Sequence, residues 1–383
     1  MRKVLSILAF AVVLLSLEGF LVLVSGSDVC GQMTYGNANH FWTRQLVYFA
    51  IGAGLVWLIR RFDYYRLYNN PKFVLCLFLL TIAALLCVFV PGLGRTINGS
   101  RRWIRSPLFN IQPSEIAKVV TVVVTSFWMV WLRDRVRLFW KGVVPTCLLL
   151  LLFVGPVVLQ PDFGCAMVLM ILAGSIMLAA RMPVPYLASV ALVGLLGVGV
   201  LLYNNENRRA RLAAQFATSD APKEVAYQLK QSLLAIRSGG LKGVGLGQSI
   251  QKHNYLPEAH TDFIFAIVGE ELGFAGTASL VVFFGIILGC GLTISLKATD
   301  PLGRYIALGA TVLLAAQAGA NMGVVTGLLP TKGLALPFVS YGGSSILADC
   351  MALGLLFNVG GRIVNVADAN ERTRVKDAVH TLG

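Results

Sequence analysis

The chain has 383 residues, of which 56% are hydrophobic and 13% charged, with a mean hydropathy of +0.74. Soluble globular chains carry about 25% charged residues, so the composition excludes an ordinary soluble domain and indicates a polytopic integral membrane protein. The net charge of +14 is not a nucleic-acid signal, because the basic residues are scattered between apolar runs.

Ten apolar runs are long enough to cross a hydrocarbon core, which needs about 20 residues as helix: 4–24, 44–60, 72–92, 113–132, 142–159, 163–180, 185–203, 262–294, 304–327 and 344–361. The alternating pattern of a membrane barrel is absent, and backbone groups in lipid must be satisfied internally, so the expected fold class is all-α. No small-x-small cleavage site follows residues 4–24, which read as a retained first helix. Residues 1–383 form one transmembrane domain without repeats, with a long connection at 204–261 and a tail at 362–383. The seven cysteines have no CxxC spacing and read as small apolar packing residues.

Ten spans place both termini on one side. Arg2 and Lys3, the loops RRFDYYRL and RDRVRLFWK, and Arg362, Arg372, Arg374 and Lys376 of the tail make that side basic. The positive-inside rule makes it cytoplasmic. Segments 93–112, 204–261 and 329–343 then face outward.

Several polar features interrupt the apolar pattern. GRTINGSRRWIRS carries Arg95, Arg101, Arg102 and Arg105 on the outer side. Guanidinium forks match phosphate oxygens in pairs, so the cluster suits an anionic ligand, or else lipid headgroups or outer-loop carboxylates. In QPSEIAK, Glu115 and Lys118 share a helix face and can pair. Asp162 sits in LQPDFGCA between two apolar runs, where the residues alone suggest a helix N-cap. GGLKGVGLGQS at 239–249 lacks the GK[ST] ending of a phosphate loop and reads as a flexible outer loop.

Glu258, His260 and Asp262 converge just before span 8, where they could hold a divalent ion, or Thr261 or Asp262 could cap the helix. Glu270 and Glu271 point about 100° apart on a helix, and either could meet Lys118 or an outer arginine. Glu18 reads as structural, and Asp349 is a further acid within a span. LPTKGLALPFVSYGGSS at 329–345 cannot be continuous helix. Irregular backbone at membrane depth survives only inside protein or along a cavity. The stretch therefore reads as a re-entrant loop walling an outer cavity, with Ser340 and Tyr341 supplying polar contacts; an interfacial turn is the alternative.

Taken together, NGSRRWI, NIQPSEIAK, LQPDFGCA, the stretch from YQLKQSLL to VGEELG, and GLLPTKGLALPFVSYGGSS resemble the SEDS family (shape, elongation, division and sporulation) of peptidoglycan glycosyltransferases. NIQPSEIAK and LLPTKG look more like its division branch than its elongation branch. Phe163, Cys165 and Ser100 depart from the common pattern, and none is charged.

The resemblance implies ten transmembrane helices with a large outer loop between helices 7 and 8. It implies lipid II as substrate, a disaccharide-pentapeptide on undecaprenyl pyrophosphate, joined sugar to sugar as the lipid pyrophosphate departs. Asp162 would act as general base or hold a divalent cation, Mg or Mn, that does so; Pro161 and Gly164 would fix its turn. Arg101, Arg102 and Lys118 would offset charge on the pyrophosphate, within a substrate-binding set that includes Glu115, Glu258, His260, Lys332, Ser340, Tyr341 and Ser344. Glu270 and Glu271 would support that set. The implied partners are a class B penicillin-binding protein, which is a single-span transpeptidase, other divisome proteins and membrane lipid, at the inner membrane of the division septum. A lipid II flippase and a non-catalytic divisome scaffold are the rival readings.

Overall fold

A computed structural model describes residues 1–37, 39–97, 100–104, 111–203, 223–252, 256, 259–330 and 333–382. Glu258, Lys332 and Arg105 lie outside the described residues.

Most of the described residues are helical. In order come α1 (Arg2–Tyr35), α2 (His40–Arg61), the short α3 (Tyr65–Asn69), α4 (Pro71–Cys87), a hairpin of β1 (Gly94–Ile97) and β2 (Ser100–Ile104), and α5 (Pro113–Leu132). There follow α6 (Val144–Leu159), α7 (Phe163–Ala179), α8 (Val184–Tyr203), α9 (Lys223–Gly239), α10 (Ile264–Glu271), α11 (Gly273–Lys297), α12 (Pro301–Val325) and α13 (Gly343–Leu382). Among the described residues, seven helical stretches are long and apolar enough to cross a membrane, and α4 and α7 are shorter apolar helices. The perimeter is apolar as well: Phe10, Leu21, Leu80, Leu151 and Val282 all face outward. An exterior this rich in exposed hydrocarbon suits lipid and not water.

α5 lies at the centre, packed against α4, α7, α12 and α13. Its Val119, Val120, Val122, Val123 and Val124 are all buried. Gly309 of α12 lets this row close up, since a Cβ there would lie 2.8 Å from Val122 and 2.9 Å from Ile176 of α7. The basic loop after α2 is also ordered by partners. Tyr64 donates to Asp300 at 2.5 Å, Asp300 caps α12 through the Gly303 N–H at 2.9 Å, and Arg362 of α13 meets Asp63 at 2.9 Å.

Three expectations are corrected here. The predicted span 262–294 is two helices, α10 and α11, broken at Leu272. Gly273 follows the break with φ +68°, and a Cβ on it would strike the Gly243 backbone. The glycine-rich stretch 239–249 is not a free loop but the splint of this break. Val244 and Gly245 donate to the carbonyls of Glu270 and Glu271 at 2.9 and 3.0 Å, and Phe274 donates to the Gly240 carbonyl at 2.8 Å. Helix ends otherwise leave such groups unsatisfied. The N-cap position of α10 falls on Phe263, without a side-chain bond, and not on Thr261 or Asp262, and the Thr261 carbonyl accepts from Ser340.

The described residues between α12 and α13 are irregular, and within them Leu334, Leu336, Phe338, Val339 and Ser340 are enclosed. Their polar groups are met from inside. Asn321 Nδ2 donates to the Leu334 and Asp262 carbonyls at 2.6 and 2.8 Å, Gln45 donates to the Ser340 carbonyl at 3.1 Å, and the Leu336 N–H donates to Ser340 Oγ at 2.8 Å.

Candidate active site

Asp162 is the N-cap of α7, and its Oδ1 accepts from the Cys165 N–H at 3.2 Å. The residue-level expectation of a cap is therefore met, and the carboxylate does more. Its Oδ2 accepts from Gln112 Nε2 at 3.1 Å, lies 3.5 Å from Ser114 Oγ and 3.5 Å from Arg102 Nη1. The carboxyl is 3% exposed and the arginine 24%, so the pair sits where the hairpin covers the first turns of α5 and α7. A caged carboxylate with one cation at its open side can exchange a proton or position a hydroxyl.

The hairpin explains why Arg102, and not Arg101, reaches the acid. Arg95 pairs with Trp103 and Thr96 with Arg101, so Arg102 is an extra residue without an opposite number on β1. Such a bulge re-aims a side chain. Arg101 stays on the hairpin, its Nε 3.0 Å from where a Cβ on Gly94 would stand.

Gly164 belongs to the turn for reasons of space, because a Cβ there would lie 3.1 Å from Leu334. The buried segment 334–340 thus rests directly on the Asp162 turn. Pro161, next to the acid, is exposed. Ser344, at the start of α13, accepts from the Gln112 N–H at 3.0 Å and joins α13 to the same mouth.

Behind Asp162 the charges continue inward. Lys118 and Glu115 pair at 2.8 Å, as their spacing predicts, with Lys118 fully enclosed. Cys165 Sγ lies 3.7 Å from Glu115 Oε1, and buried Asp349 sits within the field of Lys118. Arg102, Asp162, Glu115, Lys118 and Asp349 therefore form a run of charge from the mouth into the bundle.

Other predicted residues lie apart from this run. His260, Tyr341 and Phe41 form a ring cluster, with centroids 4.5 Å apart for Phe41–His260 and 5.0 Å for Phe41–Tyr341. The Tyr341 N–H donates to the His260 carbonyl at 3.0 Å. Ser340 is buried, and its hydroxyl serves the backbone as described. Among the described residues, Glu270 and Glu271 meet neither Lys118 nor an outer arginine. Glu271 accepts from Ser25 at 2.7 and 2.8 Å and pairs with Lys252 at 3.2 Å, while Glu270 accepts from Ser249 and from the Ile250 N–H at 3.1 Å. Both acids hold the segment 244–252 against α1 and α10. Glu18 accepts from Ser279 at 2.8 Å, a bond between α1 and α11.

Among the described residues, no three His, Cys, Asp or Glu side chains gather as metal ligands. At Asp162 the neighbouring amide, hydroxyl and guanidinium are all turned to the carboxylate.

Residues 5–362 match the cell cycle protein family of FtsW, RodA and SpoVE. The chain belongs to this family. The SEDS resemblance of its motifs is thereby upheld, and with it a multi-pass membrane protein. A probable peptidoglycan glycosyltransferase FtsW of Geobacter sp. (strain M18) is 38% identical over 93% of this chain and 96% of its own length. Stage V sporulation protein E of Bacillus subtilis (strain 168) is 36% identical over 92% of this chain and 96% of its own. Among solved structures, a chain from a peptidoglycan synthase complex that coordinates polymerization and crosslinking matches with TM-score 0.69 at 25% identity, covering 93% of this chain and 97% of that one. Rod shape determining protein RodA of Thermus thermophilus matches with TM-score 0.67 at 27% identity over 92% and 95% of the two chains.

Within this SEDS chain, Gln112, Ser114 and Asn321 are the site residues that sequence reasoning did not single out. Gln112 and Ser114 flank Pro113 inside a motif read for its charges alone. Asn321 is, with Gln317, one of two amides in an otherwise apolar run, and a buried amide there is as much a signal as a charge.

Proposed function

We propose that the chain is a peptidoglycan glycosyltransferase of the division branch, polymerising lipid II at the outer face of the cytoplasmic membrane. The observation that carries this reading is the caged Asp162 carboxylate with Arg102 at its open side. In the reaction, the 4-hydroxyl of one sugar loses its proton to Asp162 as its oxygen bonds the anomeric carbon of another. The bond to the lipid pyrophosphate breaks, and the pyrophosphate leaves with the electron pair. Arg102 is placed to swing from the carboxylate to the departing phosphates, which frees the base and offsets the new charge. Arg101 and Lys118 add to the positive side of the field. Glu115, Glu258, His260, Lys332, Tyr341 and Ser344 are assigned to substrate binding, with Ser340 fixing the backbone of 334–340.

This function fits a ten-span topology with both termini cytoplasmic, the 204–261 segment outward, and work at the septum beside a class B penicillin-binding protein and other divisome proteins. Purified chain given labelled lipid II, with and without that transpeptidase, is the test. Glycan polymer supports the proposal. Translocation without polymer would favour a flippase, and neither product, even with the partner, would leave a scaffold.

A further inference from the structure

The end of the bundle away from Asp162 holds a second polar site. α5 and α7 begin at the Asp162 mouth and α12 ends beside it, so their other ends meet on the far side. The 20 residues of α5 rise about 30 Å at 1.5 Å per residue, about one hydrocarbon core. There a cleft of about 420 Å³ is lined by Tyr68, Arg133, Asp134, Arg137, Arg181 and Tyr305 among others.

Three features make this cleft more than a basic surface. Three guanidinium groups face one carboxylate, and among the described residues none of the three makes an ion pair. Arg133 closes α5 with φ 49°, and Arg181 follows α7 with φ 61°. Positive φ is uncommon outside glycine, and side chains held that way gather at ligand clamps and similar sites. Cations at helix C-termini also answer the helix dipole, but that requires neither convergence on one cleft nor Arg137. Trp131 and Trp140 are exposed at the same end, and such rings sit at headgroup level.

We infer that this cleft binds the phosphate of an anionic lipid headgroup on the membrane face opposite the Asp162 mouth. The inference rests on the bundle crossing the membrane, and not on the polymerase reaction. Guanidinium forks suit phosphate oxygens, basic clefts between transmembrane helices take such headgroups, and the flanking Tyr68 and Tyr305 give hydroxyl donors and an apolar wall to the glycerol.

The test uses the purified full chain, delipidated in detergent, with phosphatidylglycerol, phosphatidylethanolamine or inorganic phosphate added back. Retained lipid is counted by native mass spectrometry. The parent chain is expected to keep phosphatidylglycerol in preference to phosphatidylethanolamine. Retention should weaken about tenfold or more for each guanidinium removed, in Arg133→Gln, in Arg181→Gln, and in the chain with Arg137→Gln added to both. Glutamine meets the same backbone demand at positive φ, and a melting temperature checks folding; the single variants serve if the triple chain melts early. A control chain carrying Arg60→Gln, Arg61→Gln and Lys141→Gln loses equal charge outside the cleft and should keep its lipid. Displacement by inorganic phosphate in the parent chain alone would support the phosphate site with free phosphate as its source. Equal loss from both triple chains, or equal retention of the two lipids, overturns the inference. Polymer yield is not read, so this result and the glycosyltransferase proposal stand or fall separately.

Discussion

Arg102 Nη1 stands 3.5 Å from Asp162 Oδ2, joining the extra residue of a hairpin bulge to the N-cap of a helix 60 positions later. The guanidinium and the Gln112 amide are the polar partners that accompany this carboxylate into the protein.

Asp162→Asn keeps a side-chain oxygen for the Cys165 N–H, so the fold should persist. Glycan polymerisation from lipid II should vanish, with the melting temperature nearly unchanged. Polymer yield close to the parent chain's would remove Asp162 from catalysis.

Arg102→Lys keeps the charge and loses the fork. It should slow polymerisation clearly, and Arg102→Ala should slow it more, by roughly 10- to 150-fold for a lost charge-assisted contact of about 1.5–3 kcal/mol. Full activity of both variants in detergent would mean that the arginine only anchors the chain to membrane charge.

Lys118→Met leaves Glu115 and Asp349 enclosed without their cation. Breaking a buried pair in this way costs about 3–5 kcal/mol. The double variant Lys118→Met/Glu115→Gln should recover part of that loss. A thermal-denaturation cycle in detergent measures the difference, and strict additivity would rule out the coupling.

Glu271→Gln removes the charge that holds Lys252 and weakens the splint over the α10–α11 break. Limited proteolysis should then cut between Gly243 and Lys252 faster than in the parent chain. An unchanged cleavage pattern would show that the backbone bonds suffice.

Topology is read from single cysteines in a background lacking native thiols. Leu246→Cys and Leu328→Cys, both exposed, should react with an impermeant reagent in intact cells. Trp140→Cys should react only after permeabilisation. The reverse pattern would invert the topology.

The apolar runs made the helices legible, because one bilayer thickness is a long and unmistakable signal. The Glu115–Lys118 pair followed from its three-residue spacing, and the Asp162 cap from its place before an apolar run. What escaped was set by tertiary contact. Composition shows glycines at 239–249, but not that their N–H groups close a break at Leu272. Polar character at Glu270 and Glu271 suggested a site, yet their partners are Ser249, Ser25 and Lys252, from segments with no local relation to them. Which arginine meets Asp162 depends on a register shift inside β2, which no residue pattern in that stretch announces.

That shift has a consequence for chain length. Side chains alternate along a strand, so a single deletion from β2 would restore even pairing and turn the guanidinium to the other face. Such a chain would keep every charged residue of the parent and still behave like Arg102→Ala. Here a count of backbone units, and not the identity of any side chain, decides whether the acid has its cation.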